Sequence, residues 1–447
     1  MRPCWIGPAL NETIGYLQDL IRIDTTNPPG NESAAARYLA ERLAAEGVAA
    51  EVVEPAPGRG SVVARLRAEG SRPEDALLLL SHLDVVPAEP AGWRRDPFGG
   101  ELVDGEVWGR GALDTKSLTA LWLTLFLKIK REKLPLRRDL IFAATADEEM
   151  GGALGVRWLV ENRPELLEAG WCLNEGGGFA VELGGVTYYP FQSAEKSPCW
   201  MTLRVRGTPG HASMPRRDNA VVRLAEAVAR IGRARLPFHL TGTARLFVEG
   251  LAAVQEEPMA GLIRSLLDPE RADAVLDGLP DDNLAAMLRA MLRNTASPTV
   301  LRAGEKTNVI PSIAEAQVDC RILPGQTPAS IRRELLAALE GGPEVELELG
   351  LSGEPTESPV ETELAASIER ALARHSPGAH PVPFLVPGAT DSRFLRPRGV
   401  VCYGFAPTLP DVDIRLIHGH NERIGVNTLD FALAVLADVL AGFALEV

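Results

Sequence analysis

Residues 77–84 read Leu-Leu-Leu-Leu-Ser-His-Leu-Asp. A run of leucines with no polar alternation cannot leave one face in water, so a strand built from it must be covered on both sides. Comparable apolar runs stand at 62–66 and 140–145, and helix candidates separate them, notably 117–131. Buried strands alternating with helices restrict this part of the chain to an α/β sheet with helices on both faces. Upstream, 12–23 carries apolar residues at helical spacing, Thr25-Thr26-Asn27-Pro28-Pro29-Gly30 is a loop signal, and the Ala-rich stretch 32–46 reads as a helix that Gly47 stops. Towards the C-terminus, 361–375 reads as helix, 399–404 as strand and 429–445 as a terminal helix.

The middle of the chain has a different pattern. Residues 200–206 alternate apolar and polar, 219–232 read as helix, strand candidates flank Asn308-Val309-Ile310-Pro311, 329–339 is an amphipathic helix, and 344–351 alternates glutamate with apolar residues. Strand–helix–strand–strand–helix–strand is the split βαβ pattern. A polar, helix-rich stretch at 238–297 interrupts it. The expected organisation is a domain made of 1–195 and 356–447, with a second domain, 196–355, inserted into it.

A formal charge of −14 works against binding nucleic acid or an anionic membrane surface. The apolar stretch 76–86 is broken by Ser81, His82 and Asp84, too soon for a membrane span. The opening MRPCWIGPAL lacks the basic and apolar regions of a signal peptide. The five cysteines, Cys4, Cys172, Cys199, Cys320 and Cys402, are scattered and form no CxxC pair, so a reduced, cytoplasmic setting is expected.

Metal-ligand residue types gather where the strand candidates end, which is where open α/β sheets bind ligands. His82 and Asp84 follow the leucine run. Asp114 stands between a Gly-Arg-Gly loop and a helix, where it could cap that helix or share its two oxygens between two metal ions. Asp147-Glu148-Glu149 follows the 140–145 strand. Three adjacent acids beside a core call for a cation, and two neighbouring glutamates can divide the work of ligand and general base. Glu175 precedes three glycines, and His418 and His420 are two of only seven histidines in the chain. Each feature has an ordinary alternative, a cap, a solvated turn or an exposed loop histidine. Together they suit zinc or a similar divalent ion, and scattered cysteines disfavour an all-thiolate site.

Ser-His-Leu-Asp, Gly-Arg-Gly-x-x-Asp-x-Lys, Asp-Glu-Glu-x-Gly, Asn-Glu-Gly and His-x-x-Asn-Glu, in this order from residue 81 to Glu422, resemble the dinuclear-zinc family of acetylornithine deacetylase, succinyl-diaminopimelate desuccinylase, aminoacylase-1 and glutamate carboxypeptidase. The resemblance implies a three-layer zinc-exopeptidase-like α/β catalytic domain with a mixed central sheet, plus an inserted ferredoxin-like α+β lid and dimerisation domain. It implies two divalent metal ions, zinc with cobalt or manganese as substitutes, held by His82 and Glu175 on one side, Glu149 and His418 on the other, and Asp114 between them. The peptide after Asp114 is then expected to be cis. Glu148 would be the general base and Asp84 a supporting acid, with His420 incidental. His211, in Arg206-Gly207-Thr208-Pro209-Gly210-His211, would stabilise the oxyanion in the partner subunit of a homodimer. Asn308, Arg321, Gly388 and Arg393 would bind substrate. The expected activity is hydrolysis of an amide beside a free carboxylate, in an N-acyl amino acid or a dipeptide. The alternatives are a biosynthetic deacylase for acetylornithine or succinyl-diaminopimelate, and a non-catalytic metal-binding relative.

Overall fold

The leucines of residues 77–80 are completely buried in the strand Leu77–His82, and their side chains divide between two layers of core. Leu77 and Leu79 pack with Phe142, Trp122 and Leu436 on one face, while Leu78 and Leu80 pack with Ile141, Val156 and Leu159 on the other. Each such leucine contributes about 1.5–3 kcal/mol of burial free energy. A strand with no polar face thereby dictates a sheet with no wet face. The structure is a computed structural model that describes residues 5, 7 and 9–446, so Cys4 lies outside it. The other four cysteines are buried free thiols.

The chain forms two compact units, 1–193 with 358–384 and 390–447, and 194–357 with 385–389. In the first unit the strands run in the order Ala50–Val53, Ser61–Leu66, Leu140–Thr145, Leu77–His82, Trp171–Asn174, Val401–Gly404 and Val186–Glu195. Leu77–His82 is parallel to both of its neighbours, Trp171–Asn174 and Val401–Gly404 are parallel, and the outer pairings are antiparallel. The sheet is therefore mixed. The helices Ala9–Arg22, Lys116–Arg131, Glu363–His375 and Val426–Phe443 supply one of its two cores. The last of these is long and apolar enough to cross a membrane, but it is mostly buried among the other helices, which accounts for its composition.

The second unit has an antiparallel sheet in the order Thr295–Ala303, Ile313–Ile322, Ser197–Arg206, Glu346–Ser352. Taken in sequence these are strands two, three, one and four, the arrangement of a split βαβ unit. Met201, Leu203 and Val205 face a core shared with Leu224, Ile331 and Leu335 of the helices Ala220–Arg233 and Pro328–Ala338. The alternate residues Arg204 and Arg206 instead pair with Glu315 and Glu346 on the open face. The helices Gly242–Ala253, Met259–Arg264, Pro269–Asp277 and Asp282–Leu292 fill the stretch between the first helix and second strand.

Two sequence expectations change. The ten-residue strand Val186–Glu195 had no counterpart in the sequence reading, because its Tyr-Tyr-Pro-Phe-Gln-Ser run shows neither alternation nor a purely apolar character. Residues 385–389 group with the second unit, and the Lys196 amide donates to the Val386 carbonyl at 3.2 Å there.

Candidate metal centre

The site of the first unit is built at the ends of its parallel strands. His82 is the last residue of Leu77–His82 and is 2% exposed. Its Nδ1 lies 3.0 Å from the Asp84 carbonyl oxygen, which keeps a proton there, and the Nε2 of the protonated ring donates to Asp114 Oδ1, 2.9 Å away. Glu175 Oε1, just beyond Trp171–Asn174, is 3.9 Å from the same Nε2. From the other side His418 Nε2 stands 3.1 Å from Asp114 Oδ2 and 3.1 Å from Glu149 Oε1.

Asp114 is thus shared, one oxygen towards each histidine. The helix-cap alternative fails, because Thr115 occupies the cap position of Lys116–Arg131. The Asp114–Thr115 peptide is cis. A carboxylate that bonds three backbone amides holds this loop: buried Glu422 accepts from the N–H groups of Gly111, Leu113 and Asp114 and from the Arg110 guanidinium, at 2.7–3.1 Å. Because Glu422 lies four residues after His418, it ties the loop of one candidate ligand to that of another.

Asp84 does the same for the acidic turn. It is fully buried and accepts the Glu148 amide on Oδ1 and the Glu149 amide on Oδ2, each at 3.1 Å. Asp147, at the head of that turn, has a left-handed backbone (φ 71°) and bonds Arg59, which also pairs with Glu32.

The electrostatics call for a cation. Burial first, then neighbouring acids, raise Glu175 to about 8, although protonated His82 opposes the shift. Burial and Glu175 push Glu148 well up. Hydrogen bonds to Asp114 and Glu149 raise His418 to about 10. Asp391 rises to about 7 through burial, and one of its oxygens has no hydrogen-bond partner. Carboxylates crowded out of water in this way hold protons until a positive ion replaces them. Two groups of donors fit such ions, His82 with Asp114 and Glu175, and Asp114 with Glu149 and His418; within each the ligating atoms lie within 4.8 Å of one another. Oxygen and imidazole donors in this proportion suit zinc, cobalt or manganese. His420 joins neither group and sits 3.7 Å from Glu89.

This donor arrangement agrees with the comparisons to known proteins. Residues 78–442 match the model of peptidase family M20/M25/M40. The chain belongs to this family. An N-fatty-acyl-amino acid synthase/hydrolase of Xenopus tropicalis is 32% identical over 366 residues, covering 79% of this chain and 69% of that protein. Aminoacylase-1 of Sus scrofa is 27% identical, with 96% of each chain covered. An M20 metallo-carboxypeptidase from Sulfolobus solfataricus has the same fold at a TM-score of 0.70, 17% identity and 97% and 99% coverage of this chain and its own. Human carnosine dipeptidase 1 follows at 0.65, 15% identity and 98% coverage of both. As an M20 protein, the chain is a metal-dependent amide hydrolase with a site for two divalent ions.

The remaining candidates are divided between the two units. Arg393 belongs to the first unit, with its guanidinium 4.8 Å from the Phe394 ring centroid. Its neighbour Asp391 is buried, so the 388–393 loop is only partly available to a substrate. In the second unit, His211 lies on the two-residue strand Gly210–His211 and is exposed. Its Nδ1 accepts the Ser213 amide at 3.2 Å, which places the ring proton on Nε2. Asn308 is exposed, and its carbonyl accepts the Ala212 amide. Arg321, expected to bind substrate, forks onto Asp319, an acid two residues away, at 2.8 and 3.1 Å. Gly388 falls in the segment 385–389 of the second unit.

Sequence reasoning gave no role to Arg59 or Glu32, and named Asn27 only as part of a loop signal and Glu422 only as part of a motif. Glu422 carried a usable signal, an acid four residues after the candidate ligand His418. Glu32 and Arg59 carried none, because buried and solvated charges look alike in sequence.

Proposed function

We propose that the protein hydrolyses the amide of an N-acyl amino acid or a dipeptide, using two zinc ions held by His82 and Glu175, by Glu149 and His418, and by Asp114 between them. The observation that carries this reading is the pair of donor groups sharing Asp114, with Glu148, an acid that joins neither group, on the same turn as Glu149. When bound, the ions lower the pKa of a water molecule and polarise the substrate carbonyl.

The chain's own residues perform the proton transfers. Glu148, on the same turn as Glu149 but in neither donor group, takes a proton as water adds to the carbonyl carbon. As the carbon–nitrogen bond breaks, Glu148 passes that proton to the leaving amine, and a carboxylic acid and an amine result. Asp84 keeps Glu148 and Glu149 in place through their backbone amides. His211 donates from Nε2 to the developing oxyanion across a homodimer. Arg393, Asn308, Gly388 and Arg321 bind the substrate, Arg321 taking its free carboxylate after exchanging Asp319 for it. The relatives named for N-acyl amino acids support this substrate class, and the cytoplasm is the proposed location.

The test is amine release from a panel of N-acyl amino acids and dipeptides by chelator-stripped protein, with and without zinc, cobalt or manganese. Hydrolysis that returns with metal is expected. Two ions bound per chain without hydrolysis of any panel member would overturn the substrate assignment.

A further inference from the structure

The Thr25–Gly30 loop takes no direct part in the proposed reaction, yet it lies against the acidic turn. The Asn27 amide donates to the Val85 carbonyl at 2.9 Å, and Thr25 Oγ1 donates to the Leu83 carbonyl at 2.7 Å, so the loop is fastened alongside residues 83–85. Asn27 is 2% exposed. Its Nδ2 is 2.9 Å from Asp84 Oδ2 and 3.3 Å from Asp147 Oδ1. A carboxamide nitrogen has two hydrogens, one for each acid.

Those two acids enclose the turn that carries Glu148 and Glu149. Asp84 receives both of their amides, and Asp147 starts the turn in a left-handed conformation (φ 71°), uncommon outside glycine. Asp84 and Asp147 are 0% and 4% exposed, so they repel one another with little water to screen them. Arg59 offsets Asp147 but is shared with Glu32, which leaves the Asn27 amide as the donor common to Asp84 and Asp147.

We propose that Asn27 is a positioning residue: by donating to Asp84 and Asp147 together, it sets the turn that aims Glu148 at the reacting water and Glu149 at its metal ion. The proposal rests on the roles given above to Glu148 and Glu149. Asn27 touches neither substrate nor metal, and its effect passes through the two aspartates.

The test compares Asn27→Ala, Asn27→Asp and the same-loop control Thr26→Ala, whose hydroxyl bonds only the Asp24 carboxylate. Glu148→Gln is measured beside them. For each holoenzyme the readouts are kcat and KM on an N-acyl amino acid, and metal affinity by chelator competition. Outer partners of metal ligands typically contribute 10–100-fold, so Asn27→Ala should lower kcat about 10-fold and Asn27→Asp about 100-fold. KM should stay within about 3-fold and affinity for one of the two ions should weaken about 10-fold, while Thr26→Ala matches wild type. If Asn27→Asp does not fold, Asn27→Ala decides the matter.

Wild-type kcat and metal affinity in Asn27→Ala would overturn the proposal, as would equal losses in Thr26→Ala. Normal turnover by Glu148→Gln would remove the base assignment alone. In that event weakened metal binding in the Asn27 variants still supports the positioning of Glu149, and unchanged binding overturns it.

Discussion

The two histidines that face Asp114 come from regions built on different principles. His82 ends a strand inside the central sheet, is 2% exposed, and has its ring held by the carbonyl two residues on. His418 sits in a loop with a left-handed backbone (φ 59°) and a half-exposed side chain. The sheet places the first: its strand is paired on both sides, and His82 itself pairs with Thr145. The second depends on side chains of its own loop reaching elsewhere: Asn421 accepts the Arg94 amide, and Glu422 accepts three amides around Asp114. One half of the centre is thus part of the framework, and the other is fastened to it by a few specific bonds.

The largest expected effect belongs to neither histidine. Glu148→Gln should keep both ions and lose about 10²–10⁴-fold in kcat, measured as amine release with metal content determined alongside. Near-normal turnover would show that the contrast between the histidines omits nothing essential at the turn between them, and would remove the base. Next comes the fastening of the loop side. Glu422→Ala leaves Arg110, 2% exposed, without its carboxylate, and should cost about 3–5 kcal/mol in denaturant unfolding. A loss below about 1 kcal/mol would mean that the loop does not depend on this residue and that the two halves are built alike.

A smaller effect separates the histidines by pH in metal-stripped protein. Bonds to Asp114 and Glu149 raise His418 to about 10 from an ordinary 6.5. A group whose folded pKa is raised contributes stability that is complete below the unfolded pKa and is lost as pH rises through the folded one. The stability difference between stripped wild type and His418→Ala should therefore be greatest near pH 6 and shrink towards pH 10. A difference that stays flat over this window would place His418 away from the two acids in solution. The smallest effect is expected at His420→Ala, which should change kcat and metal affinity by less than about 2-fold, since an exposed substitution away from the donors is close to neutral. A larger change would extend the loop side of the centre to a second histidine.

The same contrast governs what the sequence disclosed. The leucine run announced a strand buried on both faces because a continuous apolar stretch has only that outcome in an open sheet, and its end located His82. The acidic turn was legible for a similar reason, since Asp147, Glu148 and Glu149 together are hard to place without a cation. The long-range ties were not legible. Nothing local in the sequence says that Glu422 reaches Gly111 or that Asn27 reaches Asp147, because such bonds depend on tertiary placement. Arg321 is a similar case: its fork suits a carboxylate, and nothing local in the sequence says that Asp319 occupies it. The strand Val186–Glu195 escaped notice because central burial removed the alternation that would have marked it.

The strand order also has a consequence for how the molecule comes into being. Val401–Gly404 lies between Trp171–Asn174 and Val186–Glu195, and the chain makes the whole of 194–357 before it reaches that strand. During synthesis the sheet therefore waits with a gap beside Trp171–Asn174, and its edge amides and apolar faces stay open until the final tenth or so of the polypeptide emerges. Contacts so distant in sequence form slowly and leave aggregation-prone edges exposed in the interval. A chain truncated before residue 401 would lack His418 and Glu422 and would also be left with an unfilled slot in its central sheet.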